Sequence, residues 1–443
     1  MSNKIIISNG TIVTLGNPLR VIPDGAVLIA GNLIEKVGPR GEIRADGAKT
    51  IDAAGGLVMP GFINAHMHLY STFACGISLK TPPPSNFVEI LERLWWKLDK
   101  ALALEDVRYS AVVVLARCLK AGTTTIIDHH ASPHAVRGSL DTIAKASLEV
   151  GVRSCLCYEL SDRDGPEIAQ QGIDENVAFI KACRQKKDPM LAGLFGLHAS
   201  MTIGPETMAR AVEASKGLGT GFHVHTSESR FDPEDSLAKY GKRVVNRLAD
   251  AGVLGDKTIC AHCIHLDDAE VALLRDTHTN VVHNPQSNMN NAVGAANVLK
   301  MLSQGVLVGL GSDGMTANMF DEMRCANLIH KHVAADPRVA FLEAARMLIE
   351  NNAAIASKYF PHPVGALAPG HLADVIVLDY DPPTPLSADN FLGHLVFGLP
   401  NARVTTTIVD GRVRLESGRV LGIDEHEVAA RSRELAAAMW KRF

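Results

Sequence analysis

The order of apolar segments predicts an α/β fold: a (β/α)8 TIM-type barrel with a small β-sandwich domain formed from both chain ends. Three observations lead there. Short β-rich runs separated by turns fill residues 1–57 and return near the end of the chain. Between them, short apolar strands alternate with helical stretches, the order of parallel β/α architecture. And the chain, at 443 residues, exceeds the size at which one core usually stops growing.

The N-terminal runs are Lys4 to Ser8, Thr11 to Leu15, Ala26 to Ala30 and Leu33 to Val37, broken by Asn9-Gly10, Asp24-Gly25, Gly31-Asn32 and Gly38-Pro39. Asp374 to Leu378, Val404 to Val409 and Arg412 to Leu415 have the same texture, so residues 1–57 and 365–423 are expected to share one β-domain. Residues 58–364 are expected to form the barrel and 424–443 a terminal helix. The barrel strands predicted are Val58 to Asn64, Thr123 to Asp128, Arg153 to Tyr158, Leu194 to Leu197, Gly221 to His225, Thr258 to Ala261, Asn280 to Val282 and Val306 to Leu310. Helices are predicted over Leu140 to Val150, Pro205 to Lys216, Ser236 to Ala251, Asp268 to Arg275 and Ala295 to Leu302. The segment from Tyr70 to Ala121 is long for a connection. Its Thr81-Pro82-Pro83-Pro84-Ser85 stretch and its stripe of Leu91, Leu94, Trp95, Leu98 and Leu102 read as a lid or an oligomer contact, or as a helix packed on the barrel.

Composition narrows the function. Hydrophobic residues make up 47% and charged residues 21%, and the net charge is −4 with no block of Lys or Arg, which argues against a nucleic-acid or membrane-surface binder. A small-molecule ligand is expected instead. There is no signal-peptide pattern and no bilayer-length apolar stretch, and the eight cysteines lie scattered in apolar segments; a cytoplasmic protein with free thiols is expected.

The chemistry gathers where predicted strands end, the face at which such barrels carry their sites. In Asn64-Ala65-His66-Met67-His68, residues two apart point the same way, so His66 and His68 can present two imidazoles to one ion. His225 closes the fifth strand, and Glu228, three residues on, is placed as a proton shuttle. His262 ends the sixth strand, and Asp313 follows the eighth among small residues, where a buried acid needs a compensating ion or hydrogen bonds. Singly, each reads as an ordinary structural histidine or solvated acid; together they form a constellation at one rim. Cys260-x-x-Cys263 has no second pair and reads as buried thiols flanking His262, while His223 reads as barrel packing.

This wording and spacing resemble the amidohydrolase superfamily, in the branch of cytosine, guanine and adenosylhomocysteine deaminases and triazine hydrolases; the nearest wording resembles the aminohydrolase subgroup called SsnA. The resemblance extends through Val364-Gly365-Ala366-Leu367-Ala368-Pro369-Gly370-His371-Leu372-Ala373-Asp374. It implies His66, His68, His225 and Asp313 as metal ligands, Glu228 as acid/base, and catalytic roles for His262 and Asp313. It also implies a single divalent ion, zinc or iron(II), because Leu194-Phe195-Gly196-Leu197-His198 lacks the strand-four lysine of two-metal members. His198, His129, His130, Tyr70 and Trp95 are candidate contacts to the edge and face of a flat ring. Ser287 and Asn288, in a strand-seven motif, are expected to order a loop.

The implied activity is a hydrolytic deaminase acting on an amino-substituted nitrogen heterocycle, a purine, pterin or similar, in an enzyme that is a homodimer or larger. Two rivals are weighed: hydrolysis of a cyclic amide or chloride displacement from a triazine on the same site, and a non-enzymatic barrel relative. The second has no reason to retain every ligand and the shuttle.

Overall fold

The structure is a computed structural model and describes residues 4–443. Parallel strands alternate with helices in two hydrogen-bonded sheets. One runs Phe62–Met67, Thr123–His130, Arg153–Tyr158, Leu191–Gly193; the other Phe195–Ala199, Phe222–Thr226, Ile259–His262, Asn280–His283, Val308–Leu310. Only Leu194 separates the fourth segment from the fifth, and its amide donates to Leu156 O at 3.1 Å, so the chain carries eight strands in sequence. At the opposite edge Met67 bridges Asp313 in parallel fashion, and the amides of Ser312 and Asp313 donate to His66 O at 2.9 and 3.0 Å. Every residue of these strands except Leu191 and Gly193 is buried, which is why they read as apolar runs rather than alternating ones.

The chain ends share one nine-stranded sheet in the order Arg419–Val420, Arg412–Glu416, Arg403–Val409, Val375–Asp379, Leu57–Pro60, Lys4–Val13, Val21–Ala30, Leu33–Pro39, with Lys49–Asp52 paired to Lys4–Val13. Ile5, Ile7, Ile12, Val27, Ile29, Val375, Val377 and Ile408 fill its core.

Three sequence expectations change. The segment Val58 to Asn64 is not one strand. Leu57–Pro60 pairs antiparallel with Val375–Asp379 in the terminal sheet, and the first parallel strand is Phe62–Met67. Gly61 makes the break, since a Cβ there would lie 2.2 Å from the Thr124 side chain. Lys4 to Ser8 and Thr11 to Leu15 are one bulged strand, Lys4–Val13. The predicted helix Ser236 to Ala251 divides into Phe231–Tyr240 and Val244–Ala251 at Gly241, which takes φ 65°.

The long connection after the first strand contains Phe87–Ile90, Leu91–Trp95 and Trp96–Ala101, a nearly continuous helix with a π turn at its middle, followed by Leu104–Lys120. Asn86 caps its start by accepting from Glu89 N at 3.0 Å. The terminal helix Glu425–Met439 is tied to it: Trp440 Nε1 donates to Phe73 O at 2.8 Å and Arg442 Nε to Ala101 O at 2.9 Å. No helix among the described residues is long and apolar enough to cross a membrane.

A buried ion pair joins the parallel strands to the terminal sheet. Arg153, fully buried, donates to both oxygens of Asp374 at 2.8 and 2.9 Å and to Pro189 O, and Asp374 also accepts from Asp410 N at 2.8 Å. Removing one partner strands a buried guanidinium, so Asp374→Asn is expected to cost about 3–5 kcal/mol. Equilibrium unfolding in urea measures this; a variant as stable as the parent would show that the pair does not hold the two parts together.

Candidate metal centre and cavity

Hydrogen bonds fix three imidazoles at the strand ends. His68 follows Phe62–Met67 directly, and its Nδ1 lies 2.5 Å from His129 O. His225 lies within Phe222–Thr226, with Nδ1 2.9 Å from His198 O. His66 directs Nδ1 to His223 Nε2 at 2.8 Å. Carbonyl oxygens only accept, so in their neutral form the first two rings carry the proton on Nδ1 and offer a lone pair at Nε2. The Nε2 atoms of His68 and His225 stand 3.2 Å apart, and His66 Nε2 is buried with no partner.

Such a convergence of unpaired donor atoms is what a metal ion satisfies. His66, His68, His129 and His225 offer nitrogens all within 4.8 Å of one another, and so do the ligand atoms of His66, His262 and Asp313. Asp313 Oδ1 is 3.0 Å from His68 Nε2, and Oδ2 accepts from Ser287 Oγ at 2.6 Å. Burial opposes ionisation of both members of the His68–Asp313 contact, but their mutual attraction outweighs it: His68 stands well above its ordinary value and Asp313 well below. Burial, then neighbouring histidines, holds His66 and His225 well below theirs.

Two of the rim residues pay for their placement in backbone strain. His262 has φ 70° and Asp313 φ 54°, left-handed conformations that side-chain-bearing residues seldom adopt. Bonds to neighbours hold them there. Asn64 accepts from Ser312 N at 3.1 Å, and Gly311 lets the last strand approach the first, since a Cβ would lie 2.7 Å from His66 O. His262 Nδ1 is 2.9 Å from Asn288 Oδ1, leaving Nε2 facing Glu228 Oε2 at 3.5 Å and Asp313 Oδ2 at 3.9 Å. Burial is the main cause that lifts Glu228 to about 7, in the range of a working proton shuttle.

Above this group lies a cavity lined by His68, Tyr70, Ser71, Phe87, Leu91, Trp95, Trp96, Asp99, Glu159, His198, Met201, His225, Glu228, Asp232, Asn291 and Asp313, among others. Tyr70, Trp95 and His198 are thus where the sequence suggested, on the wall. His129 and His130 are not on it. His130 is fully buried, with Nε2 2.9 Å from Ser132 Oγ, and His129 is buried beneath the floor with its ring stacked on His223 at 4.4 Å. Ser287 and Asn288 hold Asp313 and His262 rather than a loop alone.

Sequence reasoning missed Glu159, which ends the third strand; its Oε1 is 3.1 Å from His68 Nδ1 and its Oε2 3.7 Å from His198 Nε2. The rule that singled out Asp313, an acid just past a strand, would have found it. Asp99 was missed too. It pairs with Arg163 Nη2 at 2.8 Å, the guanidinium lies over Trp96 at 4.9 Å, and burial lifts the carboxyl to about 6. No spacing in the 70–121 segment announced it.

Residues 57–414 match the model of the amidohydrolase family. Among similar proteins, a 5-methylthioadenosine/S-adenosylhomocysteine deaminase of Pelotomaculum thermopropionicum is 33% identical over 99% of each chain. A 5′-deoxyadenosine deaminase of Methanosarcina mazei is 31% identical, also over 99% of each. Among solved structures, an adenosine deaminase from Xanthomonas campestris with bound zinc has a TM-score of 0.87, covering 99% of this chain and 98% of that one at 23% identity, which shows a shared fold.

Cys260 and Cys263 are buried and free, with Cys263 Sγ directed at Cys260 O, as the reading of inert thiols requires. A thiol reagent applied to the native protein should therefore modify exposed Cys75 and spare Cys118, Cys155, Cys157, Cys260 and Cys263 until denaturant is added. Peptide mapping by mass spectrometry reads this out, and native labelling of Cys260 or Cys263 would contradict it.

Proposed function

This chain belongs to the amidohydrolase family, and on that premise we propose that it is a hydrolytic deaminase using one divalent metal ion, zinc or iron(II). The substrate is an amino-substituted nitrogen heterocycle, with adenosine-type nucleosides first in line because the similar deaminases are named for them. The observation that carries the reading is the meeting of His66, His68 and His225 at their Nε2 atoms beside the Asp313 carboxylate. These four are the ligands. His129 has donor atoms nearby, but its peptide oxygen orients His68 and its ring packs on His223, a supporting position.

When bound, the ion would act as a Lewis acid that lowers the pKa of the attacking water. The side chains do the rest. Glu228 accepts a proton from that water as oxygen attacks the ring carbon bearing the amino group, and passes it to the adjacent ring nitrogen. His262, braced at Nδ1 by Asn288, holds its ring beside Glu228 and Asp313, facing the place where negative charge develops. The new hydroxyl then gives its proton through the Glu228 and Asp313 carboxylates to the amino group, and the C–N bond breaks as the carbonyl forms, releasing ammonia. Tyr70, Trp95 and Trp96 give the ring apolar walls, and His198 and Glu159 address its edge.

The same reading treats the eight parallel strands as one closed barrel; the bridge from Met67 to Asp313 supports closure. It treats both chain ends as a β-sandwich domain, with residues 57–60 moved into it from the expected barrel.

Ammonia release assayed across adenosine-type nucleosides, guanine, pterins, cytosine and melamine-like triazines tests the reading, and ring opening or chloride release without ammonia would favour the rival hydrolyses. Glu228→Gln should keep its metal but lose about a hundredfold or more in turnover. Glu228 acts as the carboxylate, so kcat/KM should fall as pH drops through its pKa, and a nearby cation places this limb at or below the value of about 7 that burial, chiefly, gives it without the ion. An unchanged acidic limb in Glu228→Gln would remove Glu228 from the mechanism. Asp313→Asn should lose both turnover and tight metal binding, checked by elemental analysis after dialysis against chelator; full metal content at normal rate would contradict its role.

A further inference from the structure

Of the three converging imidazoles, only His66 directs Nδ1 to another side chain instead of a peptide carbonyl. That side chain, His223, is fully buried and can either accept or donate, so the direction of the bond is not set by His223 itself. The next contacts set it. His223 Nδ1 lies 3.8 Å from Cys157 Sγ, and Cys157 Sγ lies 3.5 Å from Asp128 O, an atom that can only accept. With the thiol proton given to Asp128 O, the sulfur is the acceptor for His223 Nδ1–H. His223 Nε2 is then the acceptor for His66 Nδ1–H, and the lone pair of His66 remains on Nε2. Run the other way, the chain would leave a buried N–H at His66 Nε2 with no acceptor, and would take the thiol proton from the carbonyl. Stacking on His129, 4.4 Å between centroids and 13° from parallel, keeps the His223 ring in the plane this geometry needs.

We propose that His223 is a positioning residue which, anchored by Cys157, fixes the tautomer and orientation of His66 and thereby tunes how tightly the centre holds its metal. The proposal rests on the metal-site reading above. It assigns His223 and Cys157 a role that neither packing nor a catalytic step accounts for. Outer partners of metal-bound histidines commonly contribute about ten- to a hundredfold in affinity.

The test uses the full-length protein and zinc alone, with affinity measured by competition against a chelator and folding of the metal-free forms followed by thermal unfolding. His223→Phe keeps a ring to stack on His129 but offers no acceptor, and should bind zinc about ten- to a hundredfold more weakly. His223→Gln places an amide oxygen near the former Nε2 and should restore most of that loss. Cys157→Ala frees His223 Nδ1, allows the inverted tautomer, and should weaken zinc binding to a smaller degree. Affinity unchanged in His223→Phe, or equally poor in His223→Gln and His223→Phe, overturns the proposal. If His223→Phe does not fold, a folded Cys157→Ala with undiminished affinity overturns it instead. An unaltered protein that takes up no zinc sinks the metal centre and this relay together, whereas the expected affinity series without ammonia release from any heterocycle sinks only the deaminase.

Discussion

Three imidazoles that commit Nδ1 to a neighbour and turn their other nitrogen to one point are the constraint on which the rest of the structure depends. A histidine offers a metal only the nitrogen that carries no proton, and which one that is follows from the partner of the other. His68 and His225 answer to peptide oxygens of His129 and His198, and those oxygens are set by strand register. The centre is thus built by the backbone before it is built by side chains. A shift of one residue in any of these strands would turn the imidazoles to the opposite face.

Charge supplies the second constraint. Asp99, Glu159, Glu228, Asp232 and Asp313 all line one cavity, and no Lys or Arg lines it with them. Taking so many carboxyl groups out of water is costly unless they are protonated, paired or set against a cation. The protein uses more than one of these answers: Arg163 pairs with Asp99 from behind the wall, while burial lifts Glu228 to about 7. A divalent ion at the histidines would offset the remaining charge, principally at Asp313. Strain at His262 and Asp313 fits the same picture, because rigid neighbours hold both in a conformation neither prefers.

Much of this was legible in the sequence for stated reasons. Period-two alternation placed His66 and His68 on one face, and an acid after Gly309-Leu310-Gly311-Ser312 identified Asp313. Strand boundaries were less legible. Val58 to Asn64 is apolar throughout, so nothing in its pattern reveals that Gly61 divides two sheets; only the closeness of Thr124 does. His129 and His130 were less legible, because sequence alone does not tell a cavity contact from a supporting residue behind the wall, and both lie behind it. The cavity walls were least legible. Asp99, Phe87 and Leu91 come from the long connection, whose path depends on contacts with the terminal helix far away in sequence.

X-ray absorption at the zinc edge of the loaded protein reads the ligand set itself. One zinc per chain is expected, with only nitrogen and oxygen neighbours at about 2.0–2.2 Å and an imidazole scattering pattern. A sulfur neighbour at about 2.3 Å, as a site at Cys260 and Cys263 would give, or two ions per chain, would contradict it.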